Sequence, residues 1–178
     1  MRVAIAGLPG TGKTTAARLV AEELGLRLVG AGLLFRAVAE ERGISLAELS
    51  AMAELDPDLD RQLDARMADE ARKGDAVLEG RLTAWACQQA GVEALRVLLV
   101  ADEDVRAERT ARREDKPASQ ALAENRAREA SERQRYQRYY GVDVADRELY
   151  DLVLDTSATP PTEVAQRIIE EVRKRGGA

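Results

Sequence analysis

The sequence predicts an α/β fold, a parallel β-sheet with helices on both faces, and three observations carry that reading. Short apolar runs rich in valine and leucine stand at Val3–Ala6, Ala76–Leu78, Arg96–Val100 and Leu152–Leu154, with a weaker fifth candidate at Arg27–Val29. Helical patterns lie between them, and such alternation builds a parallel sheet buried on both sides. The stretch Gly7-Leu8-Pro9-Gly10-Thr11-Gly12-Lys13-Thr14 fits G-x-x-x-x-G-K-[ST] and joins the first apolar run to the first helical pattern.

The helical patterns follow in order. After the glycine loop, Ala16, Leu19, Val20 and Leu24 make one apolar face, and Gly25 ends it. About three helices occupy residues 30–74. Ser45-Leu46-Ala47-Glu48 reads as a capping box, and Asp56-Pro57 as an N-cap with proline at the first helical position, followed by Leu59, Leu63 and Met67. Residues 106–141 are dense in arginine and broken at Lys116-Pro117. From Ser119 to Tyr140 the pattern is polar nearly all round, which predicts a helix bridging across solvent rather than packed in a core. A last helix begins near Thr159-Pro160 and packs Val164, Ile168, Ile169 and Val172.

The glycine loop in its strand–loop–helix context marks a P-loop NTPase three-layer fold. Its glycines turn backbone N–H groups inward around a phosphate, and the positive end of the next helix adds to the attraction. The residues Gly7, Leu8, Pro9, Gly10, Thr11, Gly12, Lys13, Thr14 and Thr15 are expected to hold ATP. Lys13 would reach the β- and γ-phosphates, and the Thr14 hydroxyl would sit on Mg²⁺. The only asparagine, Asn125, precedes Arg126, so the N-K-x-D of a guanine site is absent. No aspartate has glycine three residues later either, and the GTPase reading fails.

Composition narrows the chemistry. The 178 residues suit one domain, and no apolar stretch approaches the roughly 20 residues of a membrane helix. With the first strand at residue 3, no signal peptide is expected, and the cytoplasm is the expected location. There is no histidine, and Cys87 is the only cysteine, which excludes His-activated nucleophiles, cysteine metal sites and an internal disulfide. The net charge of −5 argues against non-specific nucleic-acid binding. No membrane partner is expected, and a monomer is. Lysine occurs only at positions 13, 73, 116 and 174, so the cationic side chains are mostly arginine forks suited to phosphate.

In Val77-Leu78-Glu79-Gly80-Arg81 an acidic residue ends a buried strand, where α/β sheets bind ligands. Glu79 is a candidate for Mg²⁺ or its waters, Gly80 for close backbone approach, and Arg81 for clamping an acceptor phosphate. Trp85 and Cys87 read as packing, and Tyr136, Tyr139 and Tyr140 as packing at the base of a lid.

With these pieces in place, the chain resembles the nucleoside monophosphate kinases, and among them the short archaeal-type cytidylate kinases, from Met1 to about Val172. The likeness rests on the P-loop, Val77-Leu78-Glu79-Gly80-Arg81-Leu82, Val105-Arg106-Ala107-Glu108-Arg109 through Arg113, and Tyr150-Asp151-Leu152-Val153-Leu154-Asp155-Thr156-Ser157. It implies five parallel strands and a core of residues 1–29, 75–112 and 141–178. It further implies a monophosphate-binding helical insertion over about 30–74, and a short lid with its arginine-bearing helix over about 113–140. Arg36 matches the arginine that binds the acceptor phosphate, and Arg109 and Arg113 match the pair that grips ATP phosphates from the lid's edge. Bacterial cytidylate kinases carry R-D-x-x-D-x-x-R for CMP recognition, and here Arg128-Glu129-Ala130-Ser131-Glu132-Arg133-Gln134-Arg135 stands in its place, with Glu for both Asp. Residues 128, 132 and 135 share one helix face. The catalytic group that the resemblance implies is Lys13, Arg36, Arg81, Arg109, Arg113 and Arg128, with Glu132 and Arg135 also on the substrate and Thr14 and Glu79 at the metal. Adenylate kinases carry D-G-F-P-R where Glu79-Gly80-Arg81-Leu82-Thr83 stands, which favours CMP, with dCMP, as acceptor. UMP, AMP or a small metabolite such as shikimate remain alternatives, as does an ATP-dependent switch or assembly factor on a kinase fold.

Overall fold

The computed structural model describes residues 1–45, 48, 49, 52 and 56–176. Among them, five strands form one parallel sheet in the order β2-β3-β1-β4-β5. The strands are β1 Arg2–Gly7, β2 Arg27–Gly30, β3 Ala76–Gly80, β4 Leu95–Val100 and β5 Leu152–Asp155, so all five expected strands are present. The helices described are α1 Lys13–Leu24, α2 Ala31–Arg42, α3 Pro57–Arg72, α4 Thr83–Ala90, α5 Glu103–Glu114, α6 Ala118–Tyr140 and α7 Pro161–Gly176. The middle helix expected between α2 and α3 falls partly outside the described residues. Its capping box is in place: Ser45 Oγ accepts from the Glu48 amide at 3.2 Å, and the Glu48 carboxylate accepts from the Ser45 amide at 2.8 Å.

Alternation along the strands separates two cores. Val3, Ile5, Val97 and Leu99 pack under α1 and α7 against Val20, Ile168 and Val172. Ala4, Leu78 and Val29 pack on the other face against Met67, Ala71, Ala86 and Cys87. Each fully buried Ile or Leu, such as Ile168, stabilises the fold by about 1.5–3 kcal/mol relative to exposure. A small third core of Val38, Ala39, Leu49 and Leu59 holds α2 and α3 to each other. The helical segment between β2 and β3 thus has apolar packing between its own helices, while Met67 and Ala71 of α3 join it to the core on the sheet.

Asp56 caps α3 by accepting from the Asp58 amide at 2.9 Å, as its sequence indicates. Helices α5 and α6 are joined by only Asp115–Pro117, with Asp115 at φ 51°. The expectation that α6 bridges solvent is corrected: Ala121, Asn125, Glu132 and Tyr136 are buried, and Asn125 donates to Thr110 of α5 at 3.3 Å. A polar face is buried here because ion pairs and hydrogen bonds satisfy it. No helix among the described residues is long and apolar enough to cross a membrane.

Candidate active site

The register β1–β3 pairs Ile5 with Glu79 and Ala6 with Gly80, which sets the acidic strand end directly beside the glycine loop. In that loop Gly10 and Gly12 adopt φ of 80° and 82°, conformations costly for other residues. A Cβ on Gly10 would also collide with the backbone of Arg106, so the loop lies flat against the start of α5. Helix α1 opens on Gly12 with no side-chain cap and no acid in its first turn among the described residues. Its orphan amides and positive dipole end are thus open to an anion. Thr14 and Thr15 are exposed at this end.

Lys13 lies buried beneath the loop with Nζ 3.8 Å from Glu79 Oε1. Burial, with Arg81 adding repulsion, lowers its ammonium to about 7, although Glu79 and Glu132 act in the opposite sense. Phosphates brought to this lysine would favour its charged form.

Beyond Glu79 the β3–α4 turn presents Arg81, whose Nε donates to Glu132 Oε2 of α6 at 2.8 Å. Arg128 Nε donates to the other oxygen of Glu132 at 2.9 Å. Burial opposes ionisation of Glu132, yet the two guanidiniums outweigh it and hold the carboxyl below its usual range. One turn along α6, Arg135 Nη1 lies 3.1 Å from Asp60 Oδ2 of α3. A further turn along, the Tyr140 hydroxyl donates to Asp64 at 2.6 Å, and its ring stacks on Trp85 at 4.3 Å between centroids. Burial raises the Asp64 carboxyl to about 6 against the pull of that hydroxyl. The three segments α3, α6 and β3–α4 therefore enclose one polar wall that starts at Lys13 and runs outward.

The opposite side of the loop is held by α5. Arg109 donates to the carbonyl of Gly10 at 3.3 Å and to that of Thr156 at 2.6 Å. Thr156 Oγ1 in turn donates to the Thr11 carbonyl at 2.9 Å. Arg106, to which the sequence assigned no role, donates to the Pro9 carbonyl at 3.3 Å and pairs with Glu129 of α6. Its side chain is buried, and only its place in the Val105–Arg109 stretch singled it out. Arg113 is not brought to the loop: it is exposed and pairs with Glu114. Arg36 is exposed on α2, its guanidinium in no ion pair among the described residues. Cys87 is buried, with its thiol pushed up to about 11, in keeping with a packing role.

No group of three or more Asp, Glu, His or Cys that could hold a metal occurs among the described residues. That is compatible with Mg²⁺, which takes few protein ligands and relies on substrate phosphates and water. The exposed Thr14 hydroxyl and the Glu79 carboxylate are hard oxygen donors of the right kind.

A buried lysine under a glycine loop, on a five-stranded parallel sheet with an arginine-rich helix facing it, is the architecture of the P-loop kinases. Solved structures agree at the level of fold. A protein from Eubacterium ventriosum matches with TM-score 0.75 at 18% identity, over 97% of this chain and 98% of that one. Shikimate kinase from Acinetobacter baumannii matches with TM-score 0.64 at 17% identity, over 98% and 93%. Sequence similarity goes further. The profile of the cytidylate kinase-like family matches residues 2–158. The cytidylate kinase of Aeropyrum pernix is 43% identical over 97% of this chain and 99% of its own length. That of Methanopyrus kandleri is 46% identical over 87% and 84%, and that of Methanocaldococcus jannaschii 44% identical over 88% and 89%. The chain belongs to the cytidylate kinase-like family.

Proposed function

We propose that this enzyme transfers the γ-phosphoryl group of ATP to CMP, and to dCMP, releasing ADP and CDP or dCDP. The single observation that carries the reading is the grouping of charges between the P-loop and α6, the Lys13–Glu79 ion pair and the Arg81–Glu132–Arg128 cluster whose charges act on Lys13, in a member of this family. ATP would lie on residues 7–15 with its phosphates at Lys13 and the α1 amides. Arg109 braces the loop from behind, and Arg113 at the α5–α6 turn would meet the phosphates when that turn closes. Residues 30–74 would form the acceptor side and residues 113–140 the lid. Arg36, Arg81, Arg128, Glu132 and Arg135 would hold the acceptor.

An acceptor phosphate monoester is already nucleophilic near neutral pH, so the absence of histidine costs nothing. One of its oxygens attacks the γ-phosphorus in line while the β–γ bridging oxygen departs with ADP. Arg81 orients the acceptor and Lys13 stabilises charge on the transferred group. Thr14 and Glu79 would hold Mg²⁺, Glu79 through water, and the ion would supply charge neutralisation at the phosphates. Closure of the α5–α6 turn excludes water from the γ-phosphate. The cytoplasm, where both nucleotides circulate, is the compartment for this reaction.

The test is ADP release from ATP and Mg²⁺ with CMP, dCMP, UMP, AMP, GMP or no acceptor. Fast turnover with CMP and dCMP, and slow hydrolysis without acceptor, is the expected result. Equal rates with and without acceptor would sink the proposal and favour an ATP-driven switch.

A further inference from the structure

Helix α6 carries two carboxylates one turn apart, and they reach different parts of the site. Glu132 accepts from Arg81 and Arg128, on the acceptor side. Glu129 pairs instead with the buried Arg106 of α5. Arg106 Nη1 has two N–H bonds and uses one on Glu129 Oε1 and the other on the Pro9 carbonyl, at 3.3 Å. Its Nε donates to the Ala101 carbonyl at 3.2 Å. The family pattern sets Glu129 second in the stretch associated with CMP recognition, yet its ion pair leads to the P-loop.

A guanidinium is a rigid planar fork, so fixing one N–H of Nη1 on a carboxylate aims the other. Glu129 thereby sets the direction from which Arg106 meets the Pro9 carbonyl. The Pro9–Gly10 peptide is trans, and in a trans peptide the carbonyl and the next N–H point in opposite directions. Drawing the Pro9 carbonyl toward Arg106 turns the Gly10 N–H to the other side of the loop. A cavity of about 260 Å³ lies between the loop and this flank of α6, with Gly7, Leu8, Thr11, Arg106 and Glu129 among its walls. Loop and helix do not close on each other there, and the Arg106–Glu129 pair spans the gap.

We infer that Glu129 is a positioning residue for the phosphoryl donor: it aims Arg106 and, through it, the Pro9–Gly10 peptide of the P-loop. This rests on the reading of that loop as the ATP site. It divides α6 between the two substrates, Glu132 to the acceptor and Glu129 to the donor. Removing the Glu129 charge leaves Arg106 buried without its counter-ion and no longer aimed at the Pro9 carbonyl. The loop then loses the fixed orientation of one N–H that a phosphate would meet.

The test compares Glu129→Gln and Glu132→Gln with the wild-type enzyme. Binding of ADP and of CMP is measured separately by calorimetry, and KM for ATP and for CMP with the other substrate saturating. Glu129→Gln should raise the Kd of ADP and the KM of ATP by about tenfold and leave both CMP values within about twofold. Glu132→Gln should show the reverse. Arg106→Lys, with one ammonium in place of the fork, should repeat the donor-selective loss, and it carries the test if Glu129→Gln does not fold. In the double variant ADP should bind no more than about twofold more weakly than in the worse single variant, since both changes break one link. The inference is overturned if Glu129→Gln weakens ADP and CMP by one common factor, which marks a merely structural residue, or if the two losses add in the double variant. A wild-type enzyme that does not bind ADP overturns the reading of the P-loop itself, whereas ADP binding that is indifferent to Glu129 and Arg106 removes this inference alone.

Discussion

Lys13 is the residue on which the chemistry depends, and its burial sets two measurable properties. Replacing it with Met should cut turnover by about 10²–10³-fold, the usual loss for a preorganised charge that stabilises the transition state, while circular dichroism shows the fold intact. A near-normal rate would remove Lys13 from the mechanism. Its ammonium is lowered from 10.5 to about 7 in the free enzyme. Between those values the unfolded chain holds the proton that the folded chain has lost, so this group makes stability rise with pH across that window. Phosphates placed on Lys13 favour the charged form. Binding of ADP at pH 8 should therefore take up protons, seen as a dependence of the calorimetric heat on the ionisation enthalpy of the buffer. Identical heats in all buffers would contradict it. Asp64 behaves in the opposite sense. Its carboxyl is raised from 3.8 to about 6, so its contribution to stability is full below about pH 4 and is lost as pH rises through 6. Asp64→Asn mimics the protonated form and still accepts from Tyr140. It should stabilise the protein by roughly 2–3 kcal/mol at pH 8 and by almost nothing at pH 4, which urea denaturation at the two pH values would show.

Among the elements, α6 departs furthest from what its sequence suggests. Its pattern is polar nearly all round, yet Glu132 is 7% exposed and ties the helix to Arg81 of the sheet. Removing one partner of such a buried pair typically costs about 3–5 kcal/mol, because the others are left uncompensated. Glu132→Gln should accordingly lower both the melting temperature and kcat/KM for CMP, and leave ATP affinity nearly unchanged. Loss of ATP affinity to the same extent would mean that α6 supports the P-loop rather than the acceptor. The same helix explains where legibility stopped. The P-loop, Glu79 and Arg81 could be read because each motif is contiguous and its chemistry follows from spacing along one strand–turn unit. The five strands could be read because burial on both faces leaves unbroken Val and Leu runs. Arg106 and Asp60 could not, since their partners are remote in the chain: Arg106 reaches a carbonyl 97 residues away, and Asp60 meets Arg135 only after α3 and α6 have docked. Arg113, taken from the family pattern, is exposed and pairs with its neighbour Glu114.

At the scale of the whole molecule, nucleotide binding and folding are linked. A ligand at 100 times its Kd adds about 2.7 kcal/mol to the folded state. For a chain of this size that raises the melting temperature by roughly 5–10 °C, which a thermal scan with and without ADP would check. How that gain divides between the two directions of folding follows from the loop's supports. The P-loop is shaped by Arg106 and Arg109 at separations of 97 and 99 residues, and by Thr156 at 145. Contacts of such long sequence separation are costly to close and tend to form late. The glycine stretch, although it sits early in the chain, therefore has no shape of its own to offer a nucleotide until the barrier has been crossed. ADP should leave the refolding rate unchanged and slow unfolding by about 100-fold at that concentration, so that for this protein the nucleotide acts as a lock on the finished structure and not as a seed for it.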